Sequence, residues 1–356
     1  MSSAFRIGPR SIGPGQPCFL VAELSANHLG DLERAKDIVR ASAEAGADAM
    51  KLQTYTPDTI TLDCEGETFR IGPGTPWAGR GLHEIYGEAM TPWEWHAELF
   101  DLSRELGMVP FSSPFDPSAV AFLESLDVPA HKIASFELVD TGLIEQCART
   151  GKPLIMSTGM STREEIETAL QAARGAGATD ICLLKCTSAY PSPTDALDLR
   201  TIPALAREFG VLVGLSDHTL SPEVVIAAVT LGACVVERHV TLKRSDGGPD
   251  GGFSMEPDEF ADMVKSVRLT ETALGRERFE PTEAERSTLA FRRSLFVVED
   301  VKAGERLTER NVRSVRPGNG LPPKHLPQVL GQVAKRDAKR GTPLSWDLID
   351  AAPVGE

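Results

Sequence analysis

The chain has 356 residues, of which 41% are hydrophobic and 25% charged, and its formal net charge is −14. This length allows one large domain plus a small one, and the composition is that of a soluble globular protein. The acidic balance argues against nonspecific binding to nucleic acid or to an anionic membrane surface. An acidic protein that binds a phosphorylated substrate must therefore gather its positive charge locally.

We recognise no secretion signal and no membrane span in the sequence. The N-terminal stretch MSSAFRIGPR has no apolar core typical of a secretion signal, and the longest apolar run, 224–236, is too short for a bilayer. We interpret that run as a buried helix leading into a strand. The six cysteines form no CxxC pair, which is typical of small buried side chains in a reducing compartment. We expect a cytoplasmic protein without disulfides or a membrane span.

Short apolar runs alternate with amphipathic helical stretches along the first three quarters of the chain. The runs are CFLVAEL, AMKLQT, MVPFSS, HKIASF, PLIMST, ICLLKCT, VLVGLS and CVVERHV. Stretches such as TREEIETALQAARGAGA lie between them, and several end at glycine just before the next run. Eight strands, each followed by a helix, predict an α/β fold: a parallel (β/α)8 TIM barrel over residues 1–275.

Three segments depart from this alternation. The stretch from Thr56 to Met90 is rich in glycine and too long for a plain loop, which predicts an active-site insertion. Residues 276–290 are charged and are interpreted as a linker. Residues 291–356 combine short apolar runs with Gly- and Pro-containing turns, which predicts a second, small, β-rich domain.

Polar side chains stand at the C-terminal end of each predicted strand, where a barrel builds its active site. They are Glu23, Lys51, Gln53, Ser113, Lys132, Ser135, Glu137, Ser157, Lys185, Tyr190, Ser216, His218, Glu237 and His239. Solvation alone does not explain polar ends on eight strands in phase, so we predict a catalytic barrel.

Two of these strand ends carry histidine. His218 and His239 end neighbouring strands, with acidic residues close by in the sequence. Two imidazoles that converge at a barrel mouth suit a divalent metal with positions left open for substrate. The sequence therefore predicts a metal site at this pair.

Three strand lysines, Lys51, Lys132 and Lys185, are expected by parity to face the barrel interior or its mouth. A buried lysine needs an anionic partner or a chemical role. With neighbouring serine hydroxyls and loop amides, these lysines predict a cradle for phosphate and carboxylate groups. The alternative is a lysine that forms a Schiff base, as in aldolases.

Nine segments in order resemble the sialic acid synthase family over nearly the whole chain. They are ELSANHLGDLERA, KLQTYTPDTITL, TPWEWHAELF, FSSPFD, HKIASFE, LKCTSAYPSP, VGLSDHT, VERHVTL and RPGNGLPP. Within the family, ELSANH, QTYTPD, TPWEWH, SSPF, IASFE and FSMEPDEF most resemble the pseudaminic acid synthase branch. The resemblance implies a TIM barrel joined to a C-terminal antifreeze-like (SAF) domain, in a domain-swapped homodimer.

The resemblance also implies site residues. A divalent ion, Mn²⁺ or else Mg²⁺ or Co²⁺, is implied at His218 and His239. Phosphoenolpyruvate is implied to bind Lys51, Ser113, Lys132, Ser135, Ser157, Ser188 and Ser216. The sugar or a metal-bound water is implied to face Glu23, Gln53, Tyr190 and Asp250. Arg316, with Asn319 from the same RPGNG motif, is implied to contact the sugar, with Arg316 reaching the partner protomer's site.

Two positions depart from the family pattern. Ser188 stands where an asparagine is common in the N-acetylneuraminate branch. The sequence GGPDGGFS around Asp250 differs from the pseudaminate branch. These residues are retained as substrate contacts in the predicted site.

The predicted reaction joins the enol carbon of phosphoenolpyruvate to the aldehyde of an open-chain amino-sugar and releases phosphate. The predicted catalytic residues are Glu23, Glu137, Lys132, His218 and His239, with Glu137 the first choice for stabilising a cationic carbon. The predicted sugar is 2,4-diacetamido-2,4,6-trideoxy-altrose, with Trp93 or Trp95 near its methyl group. The alternatives are N-acetylneuraminate or legionaminate synthesis, a Schiff-base pyruvate aldolase using Lys132 or Lys185, and a non-catalytic sugar- or ice-binding protein.

Overall fold

The computed structural model describes residues 3–75 and 77–350. The chain divides into two compact units, Met1–Gly275 and Arg276–Glu356, and each is described by itself. Residues 351–356, at the end of the predicted second domain, lie outside the described residues.

A short hairpin and a closed barrel supply the strands of the first unit. The hairpin strands are β1 (Phe5–Ile7) and β2 (Arg10–Ile12). The barrel strands are β3 (Phe19–Glu23), β4 (Ala49–Thr54), β5 (Val109–Pro114), β6 (His131–Ile133), β7 (Leu154–Ser157), β8 (Ile181–Cys186), β9 (Leu212–Asp217) and β10 (Val235–His239). All barrel neighbours are parallel and consecutive, and β10 closes on β3 with Glu237 beside Val21. The predicted TIM barrel is confirmed.

Helices follow the barrel strands, and all but the two in the segment after β4 cover the outside of the barrel. They are α1 (Leu32–Glu44), α2 (Pro57–Ile60), α3 (Leu82–Ala89), α4 (His96–Glu105), α5 (Pro117–Ser125), α6 (Thr141–Arg149), α7 (Arg163–Gly175), α8 (Thr201–Phe209), α9 (Pro222–Thr230) and α10 (Pro257–Leu274), with α2 and α3 in that segment. Side-chain caps fix several starts: Asp31 and Asp116 each accept two backbone N–H groups at the first turns of α1 and α5. The apolar run at 224–236 forms most of α9 and the start of β10, as predicted.

The interior of the barrel changes from apolar to polar along its axis. At the N-terminal ends of the strands, Phe19 and Phe111 belong to an apolar cluster that also contains Phe5, Ile7 and Ile12 of the hairpin. The hairpin therefore plugs the lower end of the barrel with buried apolar side chains. Charged and hydroxyl side chains occupy the interior positions at the C-terminal ends, so the chemistry is confined to one end.

The segment 56–90, here called the roof segment, contains α2, α3 and the 3-10 turn Glu67–Phe69. Its middle is held by backbone pairing, since Ile71 N–H donates to the Arg80 carbonyl at 2.9 Å and Gly79 N–H donates to the Ile71 carbonyl at 2.8 Å. The predicted insertion is thus a folded element of the first unit.

The second unit consists of small antiparallel sheets around its own apolar core. It contains β11 (Ser294–Val297), β12 (Val312–Val315), α11 (Leu326–Val329), β13 (Val333–Ala334) and β14 (Ile349–Asp350), preceded by a 3-10 run at Glu283–Phe291. β11 pairs with β12 and β13 pairs with β14. The short strands fit the predicted β-rich character of this region.

No helix among the described residues is long and apolar enough to cross a membrane. All six cysteines are described, and each is free.

Candidate active site

A cavity of about 370 Å³ opens at the C-terminal end of the barrel. Twelve of the predicted site residues line it together: Lys51, Gln53, Ser113, Lys132, Ser135, Glu137, Ser157, Tyr190, Ser216, His218, His239 and Asp250. They come from seven strands or their following loops, so closure of the barrel is what assembles them.

Two lysines and two glutamates form a buried charge network at the base of the cavity. Lys51 Nζ lies 2.6 Å from Glu23 Oε2 and 3.5 Å from Glu237 Oε1. Lys132 Nζ lies 3.7 Å from Glu237 Oε2. All four side chains are buried. Each charge is tolerated inside the barrel because an opposite charge lies beside it.

Burial and charge shift the protonation of these groups in different directions. Burial raises the pKa of Glu23 to about 7, although Lys51 opposes the shift. For Glu237, burial is outweighed by the two lysines, which lower its pKa. Burial lowers the pKa of Lys132. Burial acts the same way on Lys51, but Glu23 and Glu237 outweigh it and raise its pKa. Lys51 is therefore protonated and positively charged.

Hydroxyl groups surround the two lysines. Lys51 Nζ donates to Ser113 Oγ at 3.2 Å, and Ser216 Oγ donates to Glu237 Oε1 at 3.4 Å. Ser157 Oγ is buried and has no hydrogen-bond partner among the described residues. A buried hydroxyl without a partner costs free energy, so we expect Ser157 to donate a hydrogen bond to a bound ligand.

Gly159 brings a backbone amide into the same cluster. Its N–H donates to Ser135 Oγ at 3.1 Å. A Cβ at this position would lie 2.2 Å from Ser188 Oγ and 2.7 Å from Ser135 Oγ, so a side chain there would collide with both hydroxyls. Ser188 therefore borders this cluster, although it is not among the residues that line the cavity, and its contact with phosphoenolpyruvate stays a prediction.

The two predicted metal ligands face each other, with ring centroids 5.4 Å apart. His218 Nδ1 lies 3.0 Å from the Thr187 carbonyl oxygen. A carbonyl only accepts, so Nδ1 carries the proton there and Nε2 is the ring nitrogen that could bind a metal. Burial disfavours the charged ring, but the Cys186 thiol outweighs burial and raises the pKa of His218. His239 Nδ1 is buried and has no hydrogen-bond partner in the part of the chain that the structure describes, and burial holds the pKa of this imidazole well below its usual value.

These features fit a divalent cation between the histidines. His218, whose Nδ1 is fixed by a backbone carbonyl, has the usual arrangement of a histidine ligand. His239 is held in its neutral form by burial. Among residues 3–75 and 77–350, no group of three or more His, Cys, Asp or Glu side chains is arranged to hold a metal. A cation at this pair would thus take its remaining ligands from substrate or water.

Two more carboxylates flank the cavity. Burial raises the pKa of Glu137 to about 7, and its Oε2 atom has no hydrogen-bond partner among the described residues. Asp250 accepts hydrogen bonds from Ser25 Oγ and, at 3.3 Å, from Ala26 N–H. His239 Nδ1 lies 4.0 Å from Asp250 Oδ2. Glu137 therefore has a carboxyl oxygen without a partner among the described residues.

The roof segment closes over the cavity from the opposite side. Its contribution is apolar or aromatic, here called the roof face: Ile60, Ile71, Trp77, Ile85, Tyr86 and Ala89. Trp77 Nε1 donates to the Pro249 carbonyl at 3.0 Å, and its ring lies 5.6 Å from that of Tyr190. Because Pro249 follows β10 and Tyr190 follows β8, the segment that leaves β4 spans the barrel mouth.

Several lining residues were not predicted as site residues. Glu237 was noted only as a strand end, and its link to two lysines depends on barrel closure. Cys186 was interpreted as an inert buried thiol, but it lines the cavity. Burial opposes ionisation of this thiol, but a hydrogen bond to His218 outweighs it and lowers the pKa to about 7. Trp77 had no sequence signal, since its surroundings lack periodicity.

Two expectations about the cavity are wrong. Lys185 does not line it: its neighbours Leu184 and Cys186 occupy the interior positions of β8, and Lys185 Nζ donates to the Cys186 carbonyl at 2.9 Å. Trp93 and Trp95 do not line it either. Trp93 stacks on Phe122 with ring centroids 4.7 Å apart, and Trp95 packs on the helical core.

Arg316 and Asn319 lie in the second unit, and both are exposed. They belong to a loop held by Ser294, whose Oγ donates to the Pro317 carbonyl at 2.7 Å and accepts from Gly320 N–H at 2.8 Å. Their contact with a partner protomer's sugar remains a prediction.

Each of the two units matches the model of a known protein family or domain. The model of the NeuB family matches residues 38–279, and that of the SAF domain matches residues 292–350. The chain belongs to the NeuB family. This NeuB-family protein is 48% identical to a pseudaminic acid synthase of Helicobacter pylori, over 94% of this chain and 98% of that protein. A pseudaminic acid synthase of Campylobacter jejuni is 43% identical, over 92% and 95%.

A solved structure supports the fold of this NeuB-family protein. The N-acetylneuraminic acid synthetase of Leptospira borgpetersenii, crystallised with citrate, superposes with a TM-score of 0.72. It is 29% identical and covers 81% of this chain and 96% of its own.

Proposed function

We propose that this protein is a pseudaminic acid synthase. It condenses phosphoenolpyruvate with 2,4-diacetamido-2,4,6-trideoxy-altrose and releases inorganic phosphate. One observation supports the reaction type above all: two buried lysines and a ring of hydroxyls share one cavity with a histidine pair and carboxylates. The choice of sugar is supported by identity to the pseudaminic acid synthases over nearly the full chain.

In the proposed reaction, C3 of phosphoenolpyruvate forms a carbon–carbon bond with the aldehyde carbon of the open-chain sugar. The aldehyde oxygen takes a proton from solvent, and C2 becomes cationic. Water adds to C2 and loses a proton to a carboxylate, which leaves a hydroxyl on C2. The C2–O bond to the phosphoryl group then breaks as this hydroxyl gives its proton to the departing phosphate, and C2 becomes the ketone of a 2-keto acid.

Lys51 and Lys132 hold the phosphate and carboxylate of phosphoenolpyruvate in this proposal. Charge-assisted hydrogen bonds from buried ammonium groups are strong because little water competes for them. Ser157 Oγ, which has no partner among the described residues, supplies a further donor. Glu237 keeps both lysines charged and in place beneath the anion.

Glu137 is the proposed base and the stabiliser of the cationic C2. Its pKa near 7 lets it be ionised for charge stabilisation and still accept a proton at neutral pH. Glu23 is the second candidate for directing water, but its ion pair with Lys51 ties it to the anion site.

A divalent cation, Mn²⁺ in the first instance, is proposed at His218 and His239. When bound there, it would act as a Lewis acid toward the aldehyde oxygen of the sugar. The aromatic rings of Tyr190 and Phe253, centred 4.5 Å from His218 and 5.0 Å from His239, hold the imidazoles in place and exclude water.

A cytoplasmic, domain-swapped homodimer is part of the proposal. The six free cysteines support a reducing compartment. Exposure of Arg316 and Asn319 on a well-held loop supports their use by a second protomer's site, where Arg316 would bind an N-acetyl group.

Phosphate release tests the proposed function. The protein is incubated with phosphoenolpyruvate, Mn²⁺ and a panel of 2-acetamido and 2,4-diacetamido hexoses. Release with the trideoxy altrose and a higher kcat/KM than with N-acetylmannosamine is expected. A preference for N-acetylmannosamine would overturn the choice of sugar and leave the reaction type standing.

A Schiff-base aldolase is the competing activity, and its remaining candidate nucleophile is Lys132, since Lys185 lies outside the cavity. Burial lowers the pKa of Lys132, which suits a nucleophilic amine. Borohydride with pyruvate would trap such an enzyme covalently. We expect no trapping, because Glu237 pairs with this lysine.

A further inference from the structure

The cavity has walls of opposite character. Its floor consists of strand-end side chains that carry charge or hydroxyl groups, with Lys51 and Lys132 as the lysines. No arginine is among the described residues that line it. The roof face lies across from this floor and offers isoleucine side chains and the Trp77 ring. Its one indole N–H is already engaged by the Pro249 carbonyl at 3.0 Å.

The roof face is fixed relative to the floor. Trp77 is tied to Pro249 and packs on Tyr190, whose ring in turn lies 4.5 Å from His218. Tyr86 packs edge-on against Tyr55 at 5.7 Å, which joins α3 to the end of β4. An apolar wall held in this way presents a defined surface to whatever lies between it and the floor.

The direction of the sugar follows from the proposed reaction, on which this inference rests. The aldehyde carbon must meet phosphoenolpyruvate, which the lysines hold at the floor. C6 is the other end of the open chain, so it points away from the lysines. The roof face is the wall opposite the lysines, and it is the surface that C6 meets.

We infer that the roof face is the specificity-determining surface for C6, and that it selects a deoxy carbon, a methyl group, over a hydroxymethyl or phosphorylated carbon. A methyl group on isoleucine and indole surface gains burial. A hydroxyl against the isoleucine side chains, away from the Tyr86 phenol, loses water without finding a partner, which costs free energy. A phosphate at C6 would meet no lysine or arginine on the roof face.

An apolar pocket rejects an added hydroxyl only modestly, so the expected preference is about 10- to 100-fold in kcat/KM. The compared substrates are the 2,4-diacetamido-2,4,6-trideoxy sugar and its counterpart that keeps the 6-hydroxyl. In Ile71→Thr the new hydroxyl offers a partner, and the preference is expected to fall about five- to tenfold. The KM for phosphoenolpyruvate should stay unchanged, because its ligands lie on the floor.

Ile60→Thr is the second variant, because Ile60 and Ile71 are both half-buried and one of them is expected to tolerate the change. Leu62→Thr is the matched control: Leu62 is on the same segment, 60% exposed, and does not line the cavity. Circular dichroism and thermal unfolding confirm that each variant is folded.

The outcomes separate this inference from the proposed function. A fall in the preference for Ile71→Thr or Ile60→Thr, with Leu62→Thr unchanged, supports the roof face. A wild-type preference that persists in both folded variants overturns it and leaves the synthase standing. A wild-type protein that releases no phosphate with any 6-deoxy sugar overturns the proposed function, and the inference with it.

Discussion

The floor and the roof of the cavity differ in how the chain makes them. The floor is built from residues at the ends of the barrel strands and in the loops that follow them, and barrel closure pairs each strand with two neighbours. The roof is one continuous segment between β4 and α4, with two short helices and irregular chain between them. A rigid floor suits chemistry that tolerates little displacement, whereas a separate roof can change in sequence without disturbing the barrel.

This difference predicts a division of labour. Changes on the floor should affect turnover or the binding of phosphoenolpyruvate, and changes on the roof should affect the choice of sugar. The variants below test this difference between floor and roof, in order of decreasing expected effect.

Removal of either metal-site histidine should have the largest effect. His218→Ala and His239→Ala are expected to lower kcat by at least about 1000-fold, because charge stabilisation at the aldehyde is worth several kcal/mol. The thermal midpoint should change little, since the apolar barrel core stays intact. Metal content after gel filtration provides a readout independent of turnover. Full activity in a strong chelator would contradict the metal proposal.

Loss of a floor lysine should weaken the anion site. Lys51→Ala or Lys132→Ala is expected to raise the KM for phosphoenolpyruvate by about 10- to 150-fold, the equivalent of about 1.5–3 kcal/mol for a charge-assisted contact. Lys185→Ala is the matched control, because it removes a lysine from a strand end outside the cavity. An increase confined to the KM of the sugar would contradict the assignment.

The Glu137 carboxyl group should control the pH dependence. If the ionised form is active, log kcat/KM rises with pH and levels off above the pKa of about 7. Glu137→Gln is expected to remove this limb and to lower activity by about 100-fold or more. Stopped phosphate assays between pH 5.5 and 8.5 check the profile. An unaltered limb in the glutamine variant would assign the titration to another group.

A substitution on the roof face should have the smallest effect on the chemistry. Trp77→Phe removes the N–H that donates to Pro249 but keeps an aromatic surface. We expect the KM of the sugar to rise about two- to tenfold, because this is the effect of losing one hydrogen bond. The kcat at saturating sugar should stay nearly unchanged. A large loss of kcat with normal sugar binding would place Trp77 in the catalytic machinery instead.

The floor was largely predictable from the sequence because barrel strands follow a simple rule. Buried apolar runs fixed the eight strands, and polar residues at their ends marked the mouth. Lys185 shows the limit of this rule: an error of one residue in parity turns a side chain from the interior to the outside. The central place of Glu237 depended on contacts across the closed barrel, which no local pattern contains.

The roof was predictable only as an insertion. Its length and glycine content indicated that residues 56–90 do not form a plain loop. Its irregular middle has no period that would tell which side chains face inward, so Trp77 gave no signal. Trp93 and Trp95 were chosen instead, and both pack outside the cavity, because they form the 3-10 turn that precedes α4 on the helical side of the barrel.

The hairpin fills the barrel at the N-terminal ends of its strands, and this determines how the reactants reach the site. Phe5, Ile7 and Ile12 close that end, so within residues 3–75 and 77–275 the lysines are reached through the mouth that the roof segment spans. For a synthase in this cavity, a sugar already under the roof obstructs the path of phosphoenolpyruvate. We therefore expect compulsory-order kinetics with phosphoenolpyruvate first, and inhibition by excess sugar that phosphoenolpyruvate relieves.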